Sequence, residues 1–179
     1  MKQNKIKLSN DFYLQDTVVI AKKLLGKTLV RRFDDGVINH YKIIETEAYC
    51  GEEDLACHAS KGKTKRTEIM YAEGGHIYVY LIYGMYWMLN IVTQEIDEPQ
   101  AVLIRGIENS FGKSIIGPGK VGKELQIDRS FYGENLLTSK RIWILDESEV
   151  SKFEVKPRVG IDYAGEIWKN KLWRFILQV

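Results

Sequence analysis

GGHIYVYLIYGMYWMLNIVTQ (residues 74–94) is the stretch on which the fold turns. Two apolar arms of strand-forming residues meet around Tyr83-Gly84, which predicts a β-hairpin with its turn there. Side chains alternate along a strand, so Tyr78 and Tyr80 lie on one face of the first arm. Aromatic residues inside a strand normally belong to a core. Tyr83 differs, because at the tip of a hairpin it cannot be buried by its own sheet.

Working outward, TLVRRF (28–33), the turn DDG (34–36) and VINHYKIIETEAY (37–49) predict a second hairpin with a long second arm. QAVLIRGIE (100–108), RIWIL (141–145), RVGI (158–161) and LWRFILQV (172–179) supply further strands. A helix is predicted from about Gln15 to Leu25. Asp16 or Thr17 caps it, Val18, Ala21, Leu24 and Leu25 form its apolar face, and Gly26 stops it. Gly117-Pro118 opens a short helix through Leu125. GEEDLACHAS (51–60) reads as a loop with one helical turn. The expected fold is α+β: a single mixed domain over residues 1–179, with a mainly antiparallel β-sheet, short helices and a protruding β-hairpin.

Composition narrows the function. The chain of 179 residues fits one domain with a proper core. With 45% hydrophobic and 28% charged residues it falls in the globular class rather than the disordered one. Its longest apolar runs, such as Ile77–Ile82, are too short to cross a bilayer, so no membrane partner is expected. MKQNKIKLSNDFY carries positive charge with no apolar stretch behind it, unlike a signal peptide, and a cytoplasmic location is expected. Cys50 and Cys57 make neither a disulfide framework nor a zinc pattern and read as reduced and structural; no metal is expected.

The net charge of +2 says little, but its distribution says more. KGKTKR (61–66) groups Lys61, Lys63, Lys65 and Arg66 without an acid, and GPGKVGK (117–123) adds Lys120 and Lys123. Acids gather in EIDE (95–98) and DESEVSKFE (146–154). Such runs also occur on ordinary solvated surfaces. Flanking an aromatic segment, they point toward a polyanion.

ETEAY (45–49) carries the candidate chemistry. Alternation puts Tyr41, Ile43, Glu45, Glu47 and Tyr49 on one face. Two readings stay open: both acids are edge-strand charges facing water, or they sit among apolar groups, where burial raises a carboxyl's pKa and suits it to general-base work. Arg105, inside VLIRGI, needs an anionic partner if buried, either a structural carboxylate or a substrate phosphate. Asn90, between Leu89 and Ile91, must likewise find a hydrogen-bond partner. His58 has no local signal and alone suggests a structural role. GPGK offers backbone N–H groups and Lys120 to a phosphate, though glycine–proline turns before helices are common. No P-loop, dinucleotide fingerprint, G-x-S-x-G or H-E-x-x-H is present.

Taken in order, ETEAY, the spaced histidine, R-T-E-x-M, IYVYLIYGMYWMLNIV, VLIRGIE, GPGK and RVGIDYAGE resemble the alkyladenine (N-methylpurine) type of 3-methyladenine DNA glycosylase. The resemblance runs from DFYLQDTVVIAKKLLGKTLV to LWRF. It implies Glu47 as the base that activates water and Arg105 as the arginine beside that water and the phosphate. It implies Tyr49, His58 and Tyr80 as aromatic walls for a flipped base, Asn90 as the residue crowding the 2-amino group of guanine, and the Val159 carbonyl as a holder of the water. Tyr83 would intercalate where the base has left, with Met85, Lys120 and Arg66 on the DNA. No cofactor and no metal are implied.

Departures from the family's pattern fall in DNA-facing segments. The loop between RGIE and GPGK is short, Lys65 stands where proline is usual, and VGKEL follows the GPGK lysine. The expected activity is monofunctional hydrolysis of the N-glycosidic bond of an alkylated or deaminated purine in double-stranded DNA, by a monomer with no obligate protein partner. Two rival readings fit the same residues. A binding module without catalysis would leave Glu47 idle, and a hydrolase of small nucleosides would have no use for an exposed Tyr83.

Overall fold

A computed structural model describes residues 6–178. Its strands are β1 (Thr28–Arg32), β2 (Ile38–Cys50), β3 (Ile77–Ile82), β4 (Tyr86–Thr93), β5 (Gln100–Asn109), β6 (Ser114–Ile116), β7 (Ile142–Leu145), β8 (Phe153–Lys156) and β9 (Arg174–Leu177). They form one nine-stranded sheet with the main path β3-β4-β5-β2-β1-β7; β6 adds to β5, β9 adds to β2, and β8 to β9. All of these pairings are antiparallel. Four short helices complete the α+β fold: α1 (Asn10–Tyr13), α2 (Thr17–Leu24), α3 (Pro118–Glu124) and α4 (Glu166–Lys169). Among the described residues no helix is long and apolar enough to cross a membrane.

Local chemistry sets the ends of the predicted elements. The Asp16 carboxylate accepts the Val19 N–H at 2.9 Å and caps α2, as expected. Past the helix, Gly26 takes φ +80°, a conformation that glycine adopts at little cost. The buried face of α2 is Thr17, Ile20, Ala21 and Leu24, whereas the predicted face included Val18, which is only half-buried. The hydroxyl of Thr17 explains its place: it meets Thr93 and Gln100 at 2.7 Å each.

One predicted strand is absent. RVGI (158–161) is a loop, and the strand lies just before it as β8. Pro157 has no N–H for a ladder, Gly160 adopts φ +76°, and Arg158 turns inward to a buried acid. β6, α1 and α4 carry too few residues to show a period in the sequence. The predicted C-terminal strand survives as β9, while its last residue, Val179, lies outside the described residues, as does the start of the chain through residue 5.

The sheet has two unlike faces. Ile77, Val79, Leu89, Ile91, Val102 and Ile104 bury into the main core with Ile20 and Leu24 of α2 and Val121 of α3. Tyr78, Tyr80, Val92 and Ala101 belong to a smaller cluster with Cys57 and Met70, which come from the long connection between β2 and β3. This second face, covered by the loops and two short 3-10 helices of that connection (His58–Lys61 and Glu68–Tyr71), carries the site.

Candidate active site

Two bulges aim the polar groups. Ile43 pairs with Ile107, Glu45 with Gly106 and Thr46 with Ile104, so Ile44 is extra on β2 and Arg105 is extra on β5. The first bulge reverses the alternation. Tyr41 and Ile43 bury in the main core with Ala48, while Thr46 donates to the Ala21 carbonyl of α2 at 2.8 Å. The single face expected for Tyr41, Ile43, Glu45, Glu47 and Tyr49 is therefore broken after Ile43, and only the last three point to the loop-covered side. Gly106 permits this approach, since a Cβ there would stand 2.9 Å from the Glu45 Cβ.

The floor is a buried ion cluster. Glu45 and Glu47 are 3% and 0% exposed, which removes the reading of both as edge charges in water. Arg105 Nε lies 3.1 Å from Glu45 Oε1 and 3.4 Å from Glu47 Oε1. Arg174 on β9 donates to Glu45 Oε1 at 3.0 Å and to the Pro157 carbonyl at 2.8 Å. The second carboxylate is held from three sides: besides Arg105, the Val159 N–H donates to Oε1 at 2.8 Å and the Tyr49 hydroxyl to Oε2 at 2.9 Å. Burial pushes the Glu47 carboxyl above its ordinary value, against the opposing pull of Arg105, the Val159 amide and Tyr49. Burial also pushes Tyr49 well up, so its hydroxyl keeps the proton it donates.

Above the floor lies a pocket of about 570 Å³, within the usual range for small-molecule sites. Tyr49, His58, Tyr78, Tyr80, Asn90 and Arg105 are on its wall, with Arg66, Tyr83 and Val159 also contributing. Glu47 is not on that surface but directly behind it, since Tyr49, Arg105 and Val159 all touch it. His58 and Tyr80 meet edge to face with ring centroids 4.6 Å apart, and His58 Nδ1 is 2.8 Å from the Tyr78 hydroxyl. Burial, helped by Arg66 and Lys61, lowers His58 to about 4, so its ring is neutral at physiological pH. Burial raises Tyr80 to about 12. The Asn90 amide donates to the Tyr78 carbonyl at 3.2 Å, which supplies the partner its burial required.

A family model described as methylpurine-DNA glycosylase matches residues 11–179. The chain belongs to this family. A Methanocella arvoryzae protein named "Putative 3-methyladenine DNA glycosylase" is 44% identical over 94% of this chain and 90% of its own length. Proteins of the same name from Natranaerobius thermophilus and Legionella pneumophila (strain Corby) are 40% and 44% identical, covering 97% and 96% of this chain and 96% and 94% of their own. The chain is thus a monofunctional, hydrolytic DNA glycosylase of base-excision repair, and the reading as a binding module without catalysis falls.

Of the residues singled out in the sequence, the glycosylase pocket gathers Tyr49, His58, Tyr80, Asn90, Arg105, Val159, Arg66 and Tyr83. Two stand apart. Met85 is 65% exposed in the hairpin turn and does not line the pocket, and Lys120 faces a separate groove bordered by Phe33 and Ile116. At Val159 the amide N–H meets Glu47; the carbonyl, the group expected near the water, takes no part in that contact. Three residues escaped the sequence reading: Arg174, Asp54 and Arg158. Asp54 and Arg158 pair across 104 residues, and no local pattern links them. Arg174 carried the one usable signal, an arginine within an otherwise apolar strand, as at Arg105.

Proposed function

We propose that the enzyme flips a damaged purine out of duplex DNA into this pocket, and that Glu47 activates the water that cleaves the bond between base and deoxyribose. The observation that carries this reading is a carboxylate with no exposed surface set immediately behind an aromatic pocket. A buried carboxyl with raised pKa is a stronger base once ionised, and Arg105 and the Val159 amide favour the ionised form. As the bond breaks, the sugar becomes oxocarbenium-like, and the anionic Glu47 stabilises that charge while taking the water's proton.

The base stacks among Tyr49, His58 and Tyr80, with Asn90 crowding a 2-amino group. The family description and the relatives' names support an N-alkylated purine as substrate, and a deaminated purine is the second substrate class. Tyr83 fills the gap left in the helix: it is 83% exposed at the tip of β3–β4 and holds φ +52°. Met85, Arg66 and Lys120 contact the flanking DNA. The protein works as a monomeric single domain spanning residues 1–179, in the cytoplasm, with water as its nucleophile and without cofactor or metal.

Glu47→Gln tests the assignment. The amide keeps the shape and loses the basicity, so single-turnover release of 7-methylguanine from duplex DNA falls about 10²–10⁴-fold while affinity for the damaged duplex stays. A near wild-type rate removes Glu47 from the role of base.

A further inference from the structure

Asp54 and Arg158 form a second buried ion pair that the mechanism above does not use. Both side chains are 0% exposed. The contact is bidentate, Nη1 to Oδ2 at 2.5 Å and Nη2 to Oδ1 at 2.9 Å. Asp54 also accepts the Cys50 and Ala56 N–H groups at 3.1 Å each, and Arg158 donates to the Ala48 carbonyl at 3.0 Å. The pair therefore ties the loop after β2 to the loop bearing Val159.

Its position relative to Tyr49 matters most. The Arg158 guanidinium carbon is 4.8 Å from the centre of the Tyr49 ring. Tyr49 lines the pocket and Arg158 does not, so the ring separates the guanidinium from any base stacked in the pocket. An unbalanced cation there would repel a cationic base, with little solvent between them to screen it. Asp54 cancels that charge. With it, the buried cluster balances three carboxylates (Glu45, Glu47, Asp54) against three guanidiniums (Arg105, Arg158, Arg174). The remaining cations of the pocket, Arg66 and Lys61, are solvent-exposed, so water and salt weaken their field even though Arg66 lies 5.0 Å from the centre of the Tyr80 ring.

The geometry points to Asp54–Arg158 as a specificity-determining pair that reads substrate charge: Asp54 neutralises the guanidinium behind Tyr49 and so lets a positively charged purine stack there. This inference rests on Tyr49 being a wall of the base pocket, as proposed above. A purine alkylated on a ring nitrogen, such as 7-methylguanine, is cationic in the nucleotide, whereas hypoxanthine is neutral.

Single-turnover release of the two bases from duplex DNA by Asp54→Asn and Arg158→Gln tests it, with thermal unfolding to establish that each variant is folded. Both substitutions break the same pair, so a merely structural role lowers both rates together in both variants. A charge role separates them by sign. The ratio of 7-methylguanine to hypoxanthine release falls about tenfold in Asp54→Asn, as expected for a unit charge within about 10 Å at an effective dielectric of about 20. It rises in Arg158→Gln, which leaves the carboxylate in excess, and returns to the wild-type value in the double variant. Either folded single variant decides the sign. Ratios that stay constant, or move in the same direction in both variants, overturn the pair's role. If Glu47→Gln also keeps its rate, the reading of the whole site fails; if Glu47→Gln is inactive, only the pair's role is lost.

Discussion

Glu47 on β2 and Tyr83 at the β3–β4 turn differ sharply in exposure, 0% against 83%. The first is held by Arg105, the Val159 amide and the Tyr49 hydroxyl, and lies at the centre of the sheet path. The second sits on the outermost pair of strands, in a left-handed backbone conformation beside Gly84. The contrast separates two demands. In the proposed mechanism, a group that must meet a water ionised and in one orientation needs a rigid, desolvated frame. A group that must enter another molecule has to remain uncovered, and adds nothing to the stability of its own fold.

Three substitutions sharpen this contrast, beginning with the floor. Arg105→Ala leaves Glu45 and Glu47 without their shared guanidinium. Removing one partner of a buried ion pair costs about 3–5 kcal/mol, and Arg105 serves two carboxylates, so the loss of unfolding free energy in urea at neutral pH falls at the upper end. A loss below about 1 kcal/mol would mean that the cluster behaves like a surface pair.

His58, on the pocket wall between floor and tip, gives an intermediate effect that depends on pH. Its folded value is lowered from 6.5 to about 4. The unfolded chain therefore binds a proton at His58 between those two pH values while the folded chain does not. Stability contributed by the neutral ring is complete above about pH 6.5 and declines as the pH falls toward about 4, by at most about 3 kcal/mol. His58→Gln flattens that part of the stability curve. Parallel curves for wild type and variant in denaturant titrations across this range would show that His58 titrates alike in both states.

At the tip, Tyr83→Ala changes unfolding free energy by no more than about 0.5 kcal/mol. It weakens binding to damaged duplex by about 1–3 kcal/mol, the worth of one stacked aromatic, and weakens binding to single strands less, where no gap needs filling. Equal losses on both forms of DNA would take the wedge role from Tyr83.

The same contrast explains what could be read from the chain. The hairpin was legible because alternation and a glycine turn are local. Tyr78 and Tyr80 face one way, Ile77 and Val79 the other, and Tyr83 stands at the tip, as the period of two requires. ETEAY was legible only in part. Glu45, Glu47 and Tyr49 do share a face, but the extra residue at Ile44 sends Tyr41 and Ile43 to the opposite side, and a bulge leaves no mark in the pattern of residue types. RVGI has the composition of a strand, and it became a loop because Pro157 and Gly160 bracket it and Arg158 turns inward to Asp54, a partner that no local pattern announces.

The sequence by itself determined the α+β class, the capped helix α2, the antiparallel hairpins, the exposed aromatic tip and, through the ordered motifs, the family. Each depends on contacts between residues close in the chain or on the order of segments along it. The tertiary structure alone decided that Glu45 and Glu47 are buried, that Arg105 bridges the two while Arg174 holds Glu45, that Val159 presents its N–H to Glu47, and that Asp54 pairs with Arg158 beside Tyr49. Those depend on desolvation and on charges brought together from β2, β5, β9 and two loops, and electrostatic energy is set by distance in space, which residue order does not encode.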